Sequence, residues 1–162
     1  MMGSRTGTLD PSVVTFIMEK EHLTPSEMDQ ILNKKSGVLA LSDGVSSDFR
    51  DLDAAAEKGN EAAQLALDKF AYEVRKYIGA YAAALGGVDC IVFTAGVGEN
   101  SGSMRASICD GLEYLGVKLD AEKNKLRGEE VIISTPDSKV TVWVIPTNEE
   151  LMIAQDTAAL TR

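Results

Sequence analysis

The chain has 162 residues, with 16 basic against 25 acidic side chains and a formal net charge of −9. With 44% hydrophobic and 25% charged residues it is globular rather than disordered, and one domain's length suffices to bury a core. The acidic balance excludes a general nucleic-acid or anionic-membrane surface, yet it leaves room for a phosphorylated ligand held by a few backbone N–H groups.

Asp10-Pro11 predicts a helix start, with a cap followed by proline at the first helical position, ahead of the apolar cluster Val13, Val14, Phe16, Ile17 and Met18. Thr24-Pro25-Ser26-Glu27 predicts a second start with a capping box, and Ser36-Gly37 ends that helix. A short apolar run, Gly37 to Leu41, leads into Ser42–Arg50, which is polar, rich in turn formers and read as a loop. A short helix follows over Asp51–Lys58. Asn60 then caps the longest helix, Glu61–Leu85, stopped by Gly86-Gly87. Its apolar and alanine-rich face either packs inside the domain or meets another subunit.

Val88–Ala95 is a continuous β-rich apolar run, expected as a strand covered on both faces. It enters a glycine-rich loop, Gly96–Gly102, and then a helix over Ser103–Leu115 with Met104, Ile108, Leu112 and Leu115 inward. Gly116–Glu130 is polar and connective. Val131–Ser134 and Lys139–Ile145 flank Thr135–Ser138 as a β-hairpin, and a last helix follows Pro146–Leu151. The whole predicts one α/β domain over residues 1–162, with a mixed sheet and flanking helices. Cys90 and Cys109 lie in apolar segments and are expected as reduced core thiols of a cytoplasmic protein. No run of 18 apolar residues offers a membrane span, and the first ten residues lack a signal-peptide apolar segment, so no targeting is expected.

Four segments carry candidate chemistry. At Ala95–Ser103, Gly96 and Gly98 permit a tight turn at a strand's carboxyl end, and Asn100 is placed to cap the next helix, whose amino terminus favours an anion. The pattern fits phosphate contact or an ordinary β–α turn; it is neither a Walker loop nor a dinucleotide fingerprint. In Ser46–Asp51, Phe49 can flank a purine while Asp48 accepts from ribose hydroxyls. Alternatively Ser47 caps a helix and Phe49 fills the core, and the residue pattern alone favours that structural role. Glu149 and Glu150 suit Mg²⁺ bound through one or two carboxylates plus substrate phosphates, or simply a helix first turn. Arg5, between glycines, can reach a carboxylate or phosphoryl group bidentately, although Met-Gly-Ser also reads as an expression scar. His22 lies among charges as a solvated helix residue. One histidine and two separated cysteines assemble neither a nucleophilic triad nor a metal cluster.

Taken in order, GSRTGTLDP, GVSSDFRD, DCIVFTAGVGENS, GLEYLG and VIPTNEELMIA resemble the carboxyl-terminal half of the acetate kinase family, over nearly the whole chain. Propionate kinase is a close alternative and butyrate kinase a more distant one. The resemblance implies a ribonuclease-H-like domain of the acetate and sugar kinase/heat-shock chaperone/actin superfamily. It also implies reversible transfer of the γ-phosphoryl of ATP to acetate, giving acetyl phosphate and ADP. It implies that Asp48, Phe49 and Arg50 surround the adenosine and that Gly96, Val97, Gly98 and Asn100 line the adenine and phosphates. It implies likewise that Glu149 is tied to Mg²⁺ and that Arg5 faces the transferring phosphoryl. Ser4 stands where the family usually has threonine. The family's amino-terminal half, with the acyl pocket, a second arginine and the catalytic histidine, has no counterpart in these residues. The chain is therefore expected to bind nucleotide weakly, to be inactive alone, and to belong to a homodimeric enzyme. A non-catalytic nucleotide-binding or dimerisation module is the alternative.

Overall fold

A computed structural model describes residues 1–161 and divides the chain into two compact units, Met1–Ile78 and Gly79–Arg162. The first unit is helical. Its α1 (Pro11–Lys20) starts as the sequence predicts, with the Asp10 carboxylate accepting from Ser12 N–H and proline in the first turn. The apolar cluster of α1 stays near the surface: no residue of the helix is buried and Phe16 is 63% exposed. The next helix, α2 (Pro25–Lys34), carries the full capping box, Thr24 accepting from Glu27 N–H and Glu27 from Thr24 N–H. The apolar run after it is a five-residue helix, α3 (Gly37–Leu41).

The segment read as a loop up to Arg50 closes earlier, because α4 spans Phe49–Glu57 and Asp48, not Ser47, is its cap. Asn60 caps α5 (Glu61–Leu85) by accepting from Ala63 N–H. Met28, Val38, Leu52, Ala63, Ala66, Leu67 and Ala71 form the buried core of this unit. The face expected on α5 splits in two: Ala63, Ala66, Leu67, Ala71 and Ala82 turn inward, whereas Leu65, Tyr77, Tyr81 and Leu85 are exposed, as are Ala80, Ala83 and Ala84.

The second unit holds the sheet. β1 (Cys90–Phe93), β2 (Val131–Ile132) and β3 (Thr141–Val144) order as β1-β3-β2, with β1 parallel and β2 antiparallel to β3. The mixed α/β architecture is thus the one expected. The hairpin turn is closed by Ser138 N–H donating to the Thr135 carbonyl at 3.1 Å. Ile91 and Phe93 of β1 are buried, but Cys90 and Val92 are exposed, so this strand is covered on one face only. The pleat explains the correction: successive side chains alternate between the two faces of the sheet, Ile91 and Phe93 on the packed face and Cys90 and Val92 on the open one. Cys90 is accordingly an exposed thiol, while Cys109 is the buried core residue expected.

Two helices, α6 (Ala95–Asn100) and α7 (Gly102–Cys109), occupy the segment read as a glycine loop and the helix after it. Met104, Ile108 and Leu112 are buried as expected; Leu115 falls in a separate 3₁₀ turn, Glu113–Leu115. The polar connection contains a second such turn, Lys123–Lys125. The last helix, α8 (Glu149–Leu160), buries no residue.

Candidate nucleotide and phosphoryl site

Two clusters gather the residues singled out by sequence, one in each unit. In the first unit the Gly3–Gly7 segment is laid along the junction of α2 and α3. Ser36 N–H donates to the Ser4 carbonyl, Thr6 N–H to that of Leu32, Val38 N–H to that of Met2 and Leu39 N–H to that of Gly3. Gly37 makes this possible. Its φ is +66°, and a methyl there would overlap the Met2 carbonyl oxygen and come within 2.8 Å of those of Gly3 and Arg5. The sequence marks Gly37 only as a helix terminator; its close backbone neighbours lie more than thirty positions earlier and leave no local signal. Arg5 itself is exposed, with its backbone held on both sides.

The Ser46–Asp51 segment lies beside it, Gly3 sitting close to the Ser47 carbonyl. Asp48 has both carboxylate oxygens engaged by Arg50: Oδ1 accepts from Arg50 N–H and Nε, and Oδ2 from Nη2 at 2.6 Å. The Arg50 side-chain hydrogen bonds, with the capping bond to its backbone, pull the Asp48 carboxyl down to about 2. That pair is open to water, so it orients the arginine more than it stabilises the fold. Phe49 is half-buried with its ring edge-on to Phe70 at 4.6 Å between centroids. The structure thus realises the capping and packing roles of Asp48 and Phe49, while Arg50 remains 89% exposed.

In the second unit, the carboxyl ends of the parallel pair β1 and β3 deliver Gly96–Asn100 and Pro146–Glu149 to the same end of the sheet. The turn out of β1 is made by Ala95, a non-glycine residue at φ +59°, a conformation that costs roughly 1–2 kcal/mol. Gly98 lies against the backbone of Phe93, where a methyl would come within 3.3 Å. Asn100 does not cap the next helix: its Nδ2 donates to the Gly96 carbonyl inside α6, and Ser101 caps α7 by accepting from Met104 N–H.

Arg105, unremarked in the sequence, explains why two glycines still support a helix. It is wholly buried, and its Nη1 donates to the carbonyls of Gly98 and Glu99 at 2.8 and 3.0 Å. Those are carbonyls that the end of α6 would otherwise leave without partners. Burial lowers the Arg105 pKa from its ordinary value, but arginine stays protonated in proteins, so a positive charge sits beneath the turn. Glu99 reaches across to Thr147, and its carboxyl is lowered chiefly by the Thr147 N–H.

Glu149 opens α8, exposed, beside the cap Asn148, which accepts from Leu151 N–H. Among the described residues no three His, Cys, Asp or Glu side chains gather as a metal cage. The exposed carboxylates of Glu149 and Glu150 in the first turn of α8 nevertheless fit an ion bound through one or two carboxylates, its remaining ligands coming from water and substrate phosphates. Among the described residues no helix is long and apolar enough to cross a membrane.

The profile of the Acetokinase family matches residues 1–155. The acetate kinase of Dictyoglomus turgidum is 66% identical over 157 residues, covering 97% of this chain and 38% of that protein. That of Treponema denticola is 62% identical over 162 residues, covering 100% and 41%. The crystal structure of Porphyromonas gingivalis acetate kinase superposes with a TM-score of 0.93 at 51% identity, covering 100% of this chain and 41% of that one. A propionate kinase from Francisella tularensis subsp. tularensis SCHU S4 gives 0.86 at 38% identity, covering 95% and 39%. The fold is therefore that of the acetate and sugar kinase/heat-shock chaperone/actin superfamily, to which these acetate kinase neighbours belong. The chain spans about 40% of the length of the curated relatives it matches.

Proposed function

Because this chain belongs to the acetokinase family, we propose that it forms the carboxyl-terminal, nucleotide-binding domain of an ATP-dependent carboxylate kinase. The parent enzyme moves the γ-phosphoryl of ATP to acetate, reversibly. Acetate is preferred over propionate as acceptor because curated relatives at 62% and 66% identity carry that name. The observation that carries the reading is the meeting of the glycine turn and the Pro146–Glu149 turn at the carboxyl ends of two parallel strands. That is where open α/β sheets receive ligands.

In this reading Gly96, Val97, Gly98 and Asn100 receive the nucleotide, with the buried Arg105 charge beneath them. Asp48, Phe49 and Arg50 attend the adenosine. Arg5, its backbone pinned around Gly37, meets the transferring phosphoryl group, where catalysis is mostly positioning and charge neutralisation. Glu149 would hold Mg²⁺, which when bound neutralises polyphosphate charge. Cytoplasmic location and a homodimer belong to the same reading. The exposed apolar residues of α5, Leu65, Tyr81 and Leu85 among them, support the dimer.

The test is a thermal shift with MgADP together with a hydroxamate assay for acyl phosphate. Nucleotide that binds only the native state must raise its melting temperature. The expected result is a concentration-dependent shift for the 162-residue chain, without acetate-dependent turnover. Absence of any shift overturns nucleotide binding; robust turnover overturns the half-site assignment.

A further inference from the structure

One carboxylate joins the two turns of the second unit. Glu99 Oε1 accepts from the Thr147 backbone N–H at 2.8 Å and from the Thr147 hydroxyl at 3.0 Å, bridging 48 positions of sequence. The main chain of the same residue is fixed from the opposite side, since its carbonyl accepts from buried Arg105, itself anchored on Asn124 and Leu126. Immediately beyond Thr147, Asn148 has its side chain committed to capping α8, and Glu149 is the first residue of that helix. A continuous series of bonds therefore runs from the buried arginine through Glu99 and Thr147 to the start of α8.

Resting on the nucleotide and metal reading above, we propose that Glu99 is a positioning residue: by gripping Thr147 it sets where Glu149 stands relative to the Gly96–Asn100 turn. A metal ion shared between a carboxylate and a bound polyphosphate requires both to be held in one register, because its coordination distances tolerate only tenths of an ångström. Thr147 is exposed and Glu99 half-buried, so water competes for these hydrogen bonds and the contact governs local geometry more than overall stability. Those two consequences separate it from a structural tie.

The experiment compares the chain with Glu99→Ala and Glu99→Gln, the latter keeping the accepting oxygen and losing the charge. Three quantities are read: amide exchange at Thr147 without ligand, ADP affinity without metal, and the gain in ADP affinity on adding Mg²⁺. The alanine variant should lose at least tenfold of Thr147 protection and at least tenfold of the Mg²⁺-dependent gain. Its metal-free ADP affinity should stay within about threefold and its urea midpoint should hardly move. The glutamine variant should recover most of both losses. Unchanged Thr147 exchange, an unchanged Mg²⁺ gain in the alanine variant, or a glutamine variant as defective as alanine each overturns the inference while leaving nucleotide binding intact. No ADP binding by the unsubstituted chain overturns the functional reading and this inference with it.

Discussion

Arg105 and Asn124 are joined twice within the interior: Arg105 Nε donates to Asn124 Oδ1 at 2.9 Å, and Nη2 donates to the Asn124 carbonyl. Asn124 in turn donates through Nδ2 to the Gly102 carbonyl. The buried cation has no carboxylate partner among the bonds that hold it; four backbone carbonyls and one amide oxygen surround it instead. Removing it strands those acceptors, each worth roughly 1–3 kcal/mol when left unsatisfied. Arg105→Leu should therefore lose at least about 3 kcal/mol in urea unfolding. Arg105→Lys should recover only part, since an ammonium offers three donors in place of a planar fork of five. A leucine variant as stable as the parent would show that the carbonyls find other donors.

Gly37 makes a sharper prediction about the first cluster. Gly37→Ala adds a left-handed penalty of roughly 1–2 kcal/mol to an overpacking cost of about 1–3 kcal/mol. The added methyl also displaces the carbonyls of Met2, Gly3 and Arg5. Differential amide exchange should show the loss concentrated at Ser36, Val38 and Leu39, whose N–H groups hold that segment. Uniform loss across the unit would contradict the local clamp.

Asp48 has a capping role that is visible and a ligand role that is proposed, and two substitutions part them. Asp48→Ala should destabilise by about 1 kcal/mol through the lost cap, whereas Asp48→Asn keeps a capping oxygen and loses little. If the carboxylate also receives the ribose, both variants weaken ADP binding. Retained ADP affinity in the asparagine variant confines Asp48 to capping.

Acid should expose the paired carboxylates in a definite window. Glu73, gripped by Lys69 and Lys76, is held at about 2 against an ordinary 4.5. A folded value below the unfolded one means that the unfolded chain binds more protons as acid is added. The contribution is thus complete above the unfolded value and disappears as pH falls through the folded one. Glu73→Gln should cost about 0.5–1 kcal/mol near neutral pH for two helix-surface pairs. Urea titrations should show that gap closing between pH 4.5 and about 2, and narrowing in high salt. A gap independent of pH would assign the cost to packing.

The parts of the fold legible in sequence are those whose chemistry is local. Asp10, Thr24 with Glu27, and Asn60 announce their helices because a cap and its target N–H lie within three positions. Asp48 was visible as an acidic residue near a helix start, but Ser46 and Ser47 compete for the same role, and only the fold decides among them. Gly96–Gly102 reads as a loop because glycine disfavours helix; the donors that close the carbonyls of Gly98 and Glu99 come from Arg105, beyond any local window. Cys90 reads as buried because its run is apolar, while its exposure follows from its place on the open face of the sheet. The candidate site divides the same way: its glycines and acids were conspicuous, and Gly37, Arg105 and Glu99, which hold them in place, were not.

The parallel pairing of β1 with β3 has a consequence for the order in which the molecule assembles. Cys90 meets Thr141 only after some fifty intervening residues have been gathered in, an entropic outlay made before any pairing returns it. The helices of the first unit need neighbours only a few residues away and can form in microseconds. Refolding should show helical signal arriving ahead of the environment of Trp143, which lies on β3. The end of the sheet proposed to take nucleotide would then be the last region to become native and the first to be lost under stress, so binding there would report a chain that has completed its folding.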